Sequence, residues 1–222
     1  MTLSLKAKTR LIFAALLLCF AALSALAIDR LSSVAHQSEI MSSVWTPRLR
    51  AVQQLDDAGH DYHIAEAVRI LSVTPEMAAH ADEDLAASAG EFEAKLAEYR
   101  RLLGRGDNPA AVNRISGLWN DYVSDNVRML NLARENRTEE AADRFRNSSS
   151  KFYLLTSALN DLSTYNIKQS ALESAKAKTI GDQARYAVIG ALVVVLLMLA
   201  LAAVFFESKV WRVLVRLSNV MQ

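Results

Sequence analysis

Three sets of side chains in this sequence are of types that do chemistry. His60, His63 and Glu66 recur every three residues, which sets two imidazoles and a carboxylate on one helical face. Metal ligands use such spacing. No second ligand cluster accompanies the trio, so it reads as surface residues near a turn, and neither a metal nor a cofactor is expected. Asp82, Glu83 and Asp84 are consecutive, so they read as a solvated face around one seam position rather than as paired catalytic carboxylates. The arginines form the third set. Arg48 falls among apolar neighbours, where an unpaired guanidinium is costly. It must find an acid, a carbonyl at the bend made by Pro47, or a buried anionic contact. Arg69 has Tyr62 and Glu66 on its side of the helix. A guanidinium pairs bidentately with carboxylates, so a small organic acid is the ligand this group suits, unless Glu66 already neutralises it. There is no P-loop, no dinucleotide-binding glycine motif and no nucleophile elbow, so the chain is not read as an enzyme.

The background to these residues is helical and nearly neutral. The 222 residues include only 7 Gly and 3 Pro, while Ala, Leu, Glu and Arg recur throughout. The formal charge is +1 with no long basic run, which gives nucleic acid nothing to bind. A single cysteine, Cys19, excludes an intramolecular disulfide and a cysteine zinc site. Bulky Leu18 before it argues against a lipoprotein signal.

Two stretches are unbroken by charge: Leu11 to Ile28, 18 residues, and Ala187 to Phe206, 20 residues. Each is long enough to cross a hydrocarbon core of roughly 30 Å as a helix, the only form in which an isolated segment satisfies its backbone in lipid. Lys6, Lys8 and Arg10 precede the first; Lys209, Arg212 and Arg216 follow the second. The positive-inside rule therefore places both termini in the cytoplasm and residues 29–186 outside, even though Lys176, Lys178 and Arg185 flank the second span externally. Tyr186 and Trp211 sit near its ends, where interfacial aromatics belong. Ala25-Leu26-Ala27 resembles a signal cleavage site, but the apolar run exceeds a signal core of about 7–15 residues and a helical pattern follows directly, so an anchor is expected.

Between the spans, apolar residues recur in steps of three and four. Leu31, Val34, Ser38, Met41, Trp45, Arg48, Val52 and Leu55 make one seam; Ala78, Asp82, Leu85, Ala89, Phe92, Leu96, Tyr99 and Leu103 a second. Val112, Ile115, Trp119, Tyr122, Asn126, Met129 and Ala133 make a third; Ala141, Phe145, Ser148, Phe152, Leu155, Leu159 and Leu162 a fourth. Such seams bury themselves against other helices at shallow angles. Thr74-Pro75-Glu76 supplies an N-cap, a first-turn proline and an acid. Gly104 to Asn108 is a turn before Pro109, and Thr138 caps a last helix with Glu139 and Glu140 against its dipole. The predicted helices are 29–72, 75–103, 109–135 and 138–185, with no strand alternation. The fold class is all-α: an antiparallel up-down four-helix bundle between two transmembrane helices.

At about 1.5 Å per residue the first and last helices outreach the middle two, leaving a two-helix stem below the Gly104 turn. The last seam turns polar there, at Asn166, Gln169, Glu173 and Lys176, which favours a homodimer. Pro47 is expected to break the hydrogen bond to the Ser43 carbonyl and bend the first helix, as a tolerated kink or as a hinge. Higher up, Ile64, Val68 and Leu71 line one side of this helix and Tyr62, Glu66 and Arg69 another; the apolar side is expected to pack in the bundle and the polar side to meet a dimer partner.

The stretch Trp45 to Ser72 resembles the periplasmic four-helix-bundle module of methyl-accepting chemotaxis proteins. The likeness lies in Trp45 and Pro47, Arg50-Ala51-Val52, Asp61, Ile64-Ala65-Glu66 and Leu71-Ser72, with a second patch at Trp119, Tyr122 and Asn136 to Ala142. Members often carry Arg where this chain has His63. After the second span, Trp211 to Met221 resembles the start of a HAMP helix, with Val213 in place of the usual proline. The resemblance implies a bacterial inner-membrane receptor with a cytoplasmic tail at 1–10, spans at 11–28 and 187–206, an extracytoplasmic sensor domain at 29–186 and a HAMP-like linker beginning at 207–222. Since relatives bind small ligands near the dimer interface, Tyr62, His63 and Arg69, with Arg144 from the last helix, are the expected ligand contacts. A cytoplasmic signalling domain is absent from this chain, which is expected to be a fragment, a truncated receptor or an input module working through a partner. The expected function is transmembrane chemoreception of a small anionic ligand or a periplasmic binding protein. The alternatives are a membrane-tethered dimerising scaffold or the input half of a sensor kinase.

Overall fold

The computed structural model describes residues 5–105 and 107–218, with side chains from Arg10 onward except at 12, 205, 206 and 208–218. The side chains of Lys6, Lys8, Lys209, Trp211, Arg212 and Arg216 thus lie outside it, as do parts of the tail 1–10 and linker 207–222. Every described element is helical: α1 (Leu5–Ile40), a π turn (Met41–Trp45), α2 (Thr46–Leu71), α3 (Pro75–Arg101), α4 (Ala110–Arg134) and α5 (Thr138–Ser218). There is no strand among the described residues. The chain divides into two compact units, 39–173 and the pair of segments 1–38 and 174–222.

The 39–173 unit is the bundle. The third seam read from the sequence is buried throughout, from Val112 to Ala133. From α2 come Ala51, Val52, Leu55 and Ala58, from α3 Leu85, Phe92, Leu96 and Tyr99, and from α5 Leu155, Leu159 and Leu162. Burial of side chains this size contributes about 1.5–3 kcal/mol each, which is the main term holding the helices together.

The caps explain where the helices stop. Thr74 Oγ1 accepts from the Met77 N–H at 3.3 Å, ahead of Pro75, whose missing N–H costs nothing at a first turn. α3 ends as the Leu102 N–H bonds the Glu98 and Tyr99 carbonyls at 3.2 and 3.1 Å. α4 ends in a Schellman motif: Asn136 takes the left-handed region, φ 59°, while the Arg137 N–H bonds the Leu132 carbonyl at 2.9 Å. Thr138 is the first residue of α5 rather than its cap, because the Ala141 N–H already bonds the Arg137 carbonyl at 3.0 Å.

Two expectations are corrected. The predicted first helix does not run unbroken from 29 to 72. Its geometry changes to π over Met41–Trp45, and the Thr46 N–H reaches back five residues to Met41, whose carbonyl also accepts from Thr46 Oγ1 at 3.0 Å. The ring of Pro47 would collide with the Ser43 carbonyl in a regular α-helix; one wider turn relieves the collision. The two faces of upper α2 are also exchanged. Tyr62, Glu66 and Arg69 are buried at 4%, 0% and 8% exposure, whereas Ile64, Val68 and Leu71 are exposed at 59%, 41% and 69%. The seam simply continues from Val52 and Leu55 through 59, 62, 66 and 69, and its polar members find partners inside.

In the second unit, no residue of the apolar windows of α1 and α5 is buried. By length and composition, two helices among the described residues can cross a membrane.

Candidate functional site

The polar centre of the bundle is built on Glu66. Its carboxylate accepts from Asn126 Nδ2 at 2.6 Å and makes a short hydrogen bond with the Tyr122 hydroxyl, both on α4. A buried carboxylate must be satisfied by donors that water no longer supplies, and these two seam residues of α4 supply them. His63 Nδ1 lies 2.7 Å from the Tyr122 hydroxyl and 3.5 Å from Glu66. The phenolic proton goes to Glu66, so Nδ1 is the donor in the histidine–tyrosine bond.

His63 is held flat by α5. Its ring stacks on Phe145 at 4.6 Å and on Phe152 at 4.1 Å, with interplanar angles of 14° and 13°. The partly exposed imidazole thus joins three helices. Tyr62 meets Trp119 edge to face at 5.1 Å, and Trp119 stacks on Phe92 at 3.9 Å. Burial, then the charge of Glu66, push the phenol of Tyr62 well above its ordinary range. The same causes in the same order act on Tyr122, reinforced by its hydrogen bond to Glu66.

One turn further along α2, Arg69 faces Asp82 of α3 at 3.4 Å. It also points Nη1 at the Ala133 carbonyl, likewise at 3.4 Å. Asp82 in turn accepts from Arg134 of α4 at 2.9 Å. This acid, read from sequence as part of a solvated face, bridges two arginines. Arg69 is therefore engaged within the bundle, and Glu66 is not its partner.

Arg48 lies at the other end. Its guanidinium donates to the Leu102 carbonyl from Nε at 3.1 Å and from Nη2 at 2.6 Å, pairs closely with Asp107, and sits 5.0 Å from the Trp45 ring. Gly104 N–H adds a bond to Asp107 Oδ2 at 2.6 Å. Burial opposes the charge on Asp107, but the Arg48 hydrogen bond and the Gly104 N–H outweigh it and hold the carboxyl below its ordinary value of 3.8. Of the options open to Arg48 in the sequence, the structure supplies an acid, together with a carbonyl from the end of α3.

The expected contacts therefore separate. Tyr62 and His63 share the Glu66 centre and Arg69 adjoins it. Arg144 instead lines a polar cleft of about 430 Å³ where α4 passes into α5, with Arg128, Glu135, Arg137, Glu140 and Asp143. There Arg137 grips Glu140 bidentately at 2.7 and 2.8 Å. Sequence reasoning missed Tyr122, Asn126, Phe145 and Phe152 as site residues, although all four were placed on seams; Asn126, a polar residue in an apolar seam, was the usable signal. No group of three or more His, Cys, Asp or Glu able to hold a metal occurs among the described residues.

What remains is an all-helical bundle with an aromatic, hydrogen-bonded polar centre, on a chain carrying two helices fit to span a membrane. No curated protein matches the sequence. Residues 4–180, far more than half the chain, match the model of the four-helix-bundle sensory module for signal transduction, and the chain belongs to that family.

Proposed function

We propose that this chain is the sensing part of a transmembrane receptor of the bacterial inner membrane. In this reading the bundle is extracytoplasmic, both ends of the chain are cytoplasmic, and the receptor is a homodimer. A small molecule or a ligand-loaded binding protein engages the bundle, and the change passes inward along α5. The observation that carries the reading is the extent of α5. One helix, Thr138–Ser218, contributes Leu155, Leu159 and Leu162 to the bundle core and includes the apolar run 187–206. Packed helices have discrete alternative arrangements, so a ligand that prefers one of them biases the element both segments share.

An acid anchored at Arg69 would have to displace Asp82, so the ligand class is left to the bundle's open surfaces. The test has two arms on the full chain in membranes. Reporters fused after Gln222 and inserted in the 104–108 turn should lie on opposite sides. Cysteines at Ser38 should crosslink between subunits at a rate that changes when a bound compound is added. Reporters on one side overturn the topology; a crosslinking rate indifferent to every bound compound leaves a tethered scaffold.

A further inference from the structure

α3 ends at Arg101 and α4 begins at Ala110, while α5 continues past them, so the bundle runs short of side chains beneath the connecting turn. A cleft of about 430 Å³ opens there. We propose that it binds a small, uncharged aromatic compound. The cleft is the size of a ligand pocket and is mostly apolar, the combination that distinguishes binding sites from accidental hollows. Val112 of α4 and Ala158 and Leu162 of α5 line it, together with Tyr99 and Tyr165. The waters that fill such a cleft meet a mostly apolar wall. An aromatic ring replaces them with dispersion contacts and with edge or face contacts to the tyrosines.

The charges argue for a neutral occupant. Arg48, which also lines the cleft, is committed to Asp107 and to the Leu102 carbonyl. The Tyr99 hydroxyl is engaged with Asn166, donating to Oδ1 at 3.1 Å. Two further charged groups line the cleft, Arg114 of α4 and Asp161 of α5. They are exposed, opposite in sign and without an ion-pair partner among the described residues, so an anion gains from one what it loses to the other. The walls are also preformed. The Arg48, Gly104 and Asp107 contacts tie the roof of the cleft to α2 one turn from the π turn, so occupancy bears on the start of α2 and on α5 together. The consequence for signalling rests on the sensor reading above; the binding does not.

The test uses the full chain in membranes, with Cys19→Ser removing the native thiol and Ala111→Cys placing a reporter on the cleft wall. Indole is the probe and benzoate its anionic counterpart. The expected result is that the reporter reacts freely with a maleimide, and that indole at ten times its dissociation constant slows the reaction about tenfold. Benzoate should have little effect, and a control cysteine at exposed Ala94 should be unaffected by either. Ala158→Met, filling the cleft from α5, and Asp161→Trp, closing it at the rim, should each abolish protection, so the result does not hang on the folding of one variant. An unreactive reporter without any compound would mean that protein covers the cleft. That result, the absence of protection by indole, or equal protection by benzoate would each overturn the proposal. Protection by indole without change in Ser38 crosslinking would uphold the site and sever it from the signalling role.

Discussion

Asn126 of α4 donates its side-chain amide to the carboxylate of Glu66 on α2 at 2.6 Å, with both residues buried in the bundle centre. The pair fixes the register of α2 against α4, since sliding either helix by one turn would leave a buried polar group without a partner. It also sets an asymmetry between substitutions. Asn126→Leu strips one donor from a carboxylate that water cannot reach, at a cost of about 1–3 kcal/mol. At roughly 2–4 °C per kcal/mol for a chain of this size, that lowers the melting temperature by about 2–12 °C. Glu66→Gln keeps the shape and removes the buried charge, and should be the milder change. Thermal unfolding of the full chain in nanodiscs, followed by circular dichroism, gives the order. The reverse ranking would mean that the centre is not organised around the carboxylate.

Tyr62, Tyr99 and Tyr122 are all held above the ordinary phenol value of 10.0, with burial as the largest cause in each. The sign follows from proton counting. Above about pH 10 the unfolded chain has released these protons while the folded one keeps them, so their contribution is full below that pH and is lost as pH rises further. Spectrophotometric titration should therefore show only part of the 6 tyrosines ionising reversibly, and the rest appearing abruptly with loss of helix. Smooth ionisation of every phenol in a folded chain would contradict the buried placement.

The bundle itself was legible because its driving force is written in the seams: Val112 to Ala133 of α4 are buried as their spacing requires. The site was less legible. Heptad spacing continues through Tyr62, Glu66 and Arg69, yet residue type pulled the reading the other way and sent Ile64, Val68 and Leu71 inward. Only knowing that Tyr122, Asn126 and Asp82 face those positions settles it, and pairing between helices far apart in sequence is what one sequence does not display. Similarly, Pro47 announced an irregularity, but a bend and a π turn leave the same mark in the sequence.

Breaking the Arg48–Asp107 pair should loosen the α3–α4 turn before it unfolds the bundle. Arg48 is buried and Asp107 is partly exposed, with side-chain exposures of 4% and 29%. The loss is therefore discounted from the roughly 3–5 kcal/mol of a fully buried pair. In Arg48→Met, hydrogen exchange should rise at 102–109 while α4 at 115–130 stays protected. Acid should mimic the substitution. The Asp107 carboxyl is held below its unfolded value, so its contribution is complete above about pH 4 and is lost as pH falls through the folded value. Uniform exchange along the bundle would show the pair to be part of the global core instead.

The exchanged faces of upper α2 leave an apolar surface open. Ile64, Val68 and Leu71 are exposed at 59%, 41% and 69%, and Val73 just beyond them at 86%. Burying such side chains contributes about 1.5–3 kcal/mol each when complete, so a second copy gains most by covering this stripe rather than the polar residues expected there from the sequence. Single cysteines at Ile64, Val68 and Leu71 in a Cys19→Ser background should therefore form intersubunit disulfides in membranes under mild oxidation. Ala87 and Ala94, exposed on α3, provide control positions away from the stripe. Val68→Glu places like charges opposite each other in a symmetric pair, so it should weaken the dimer at least about tenfold by dilution in nanodiscs. Crosslinking strongest at the control positions, with Val68→Glu as dimeric as the parent, would place the interface elsewhere and leave the apolar stripe free for a different partner.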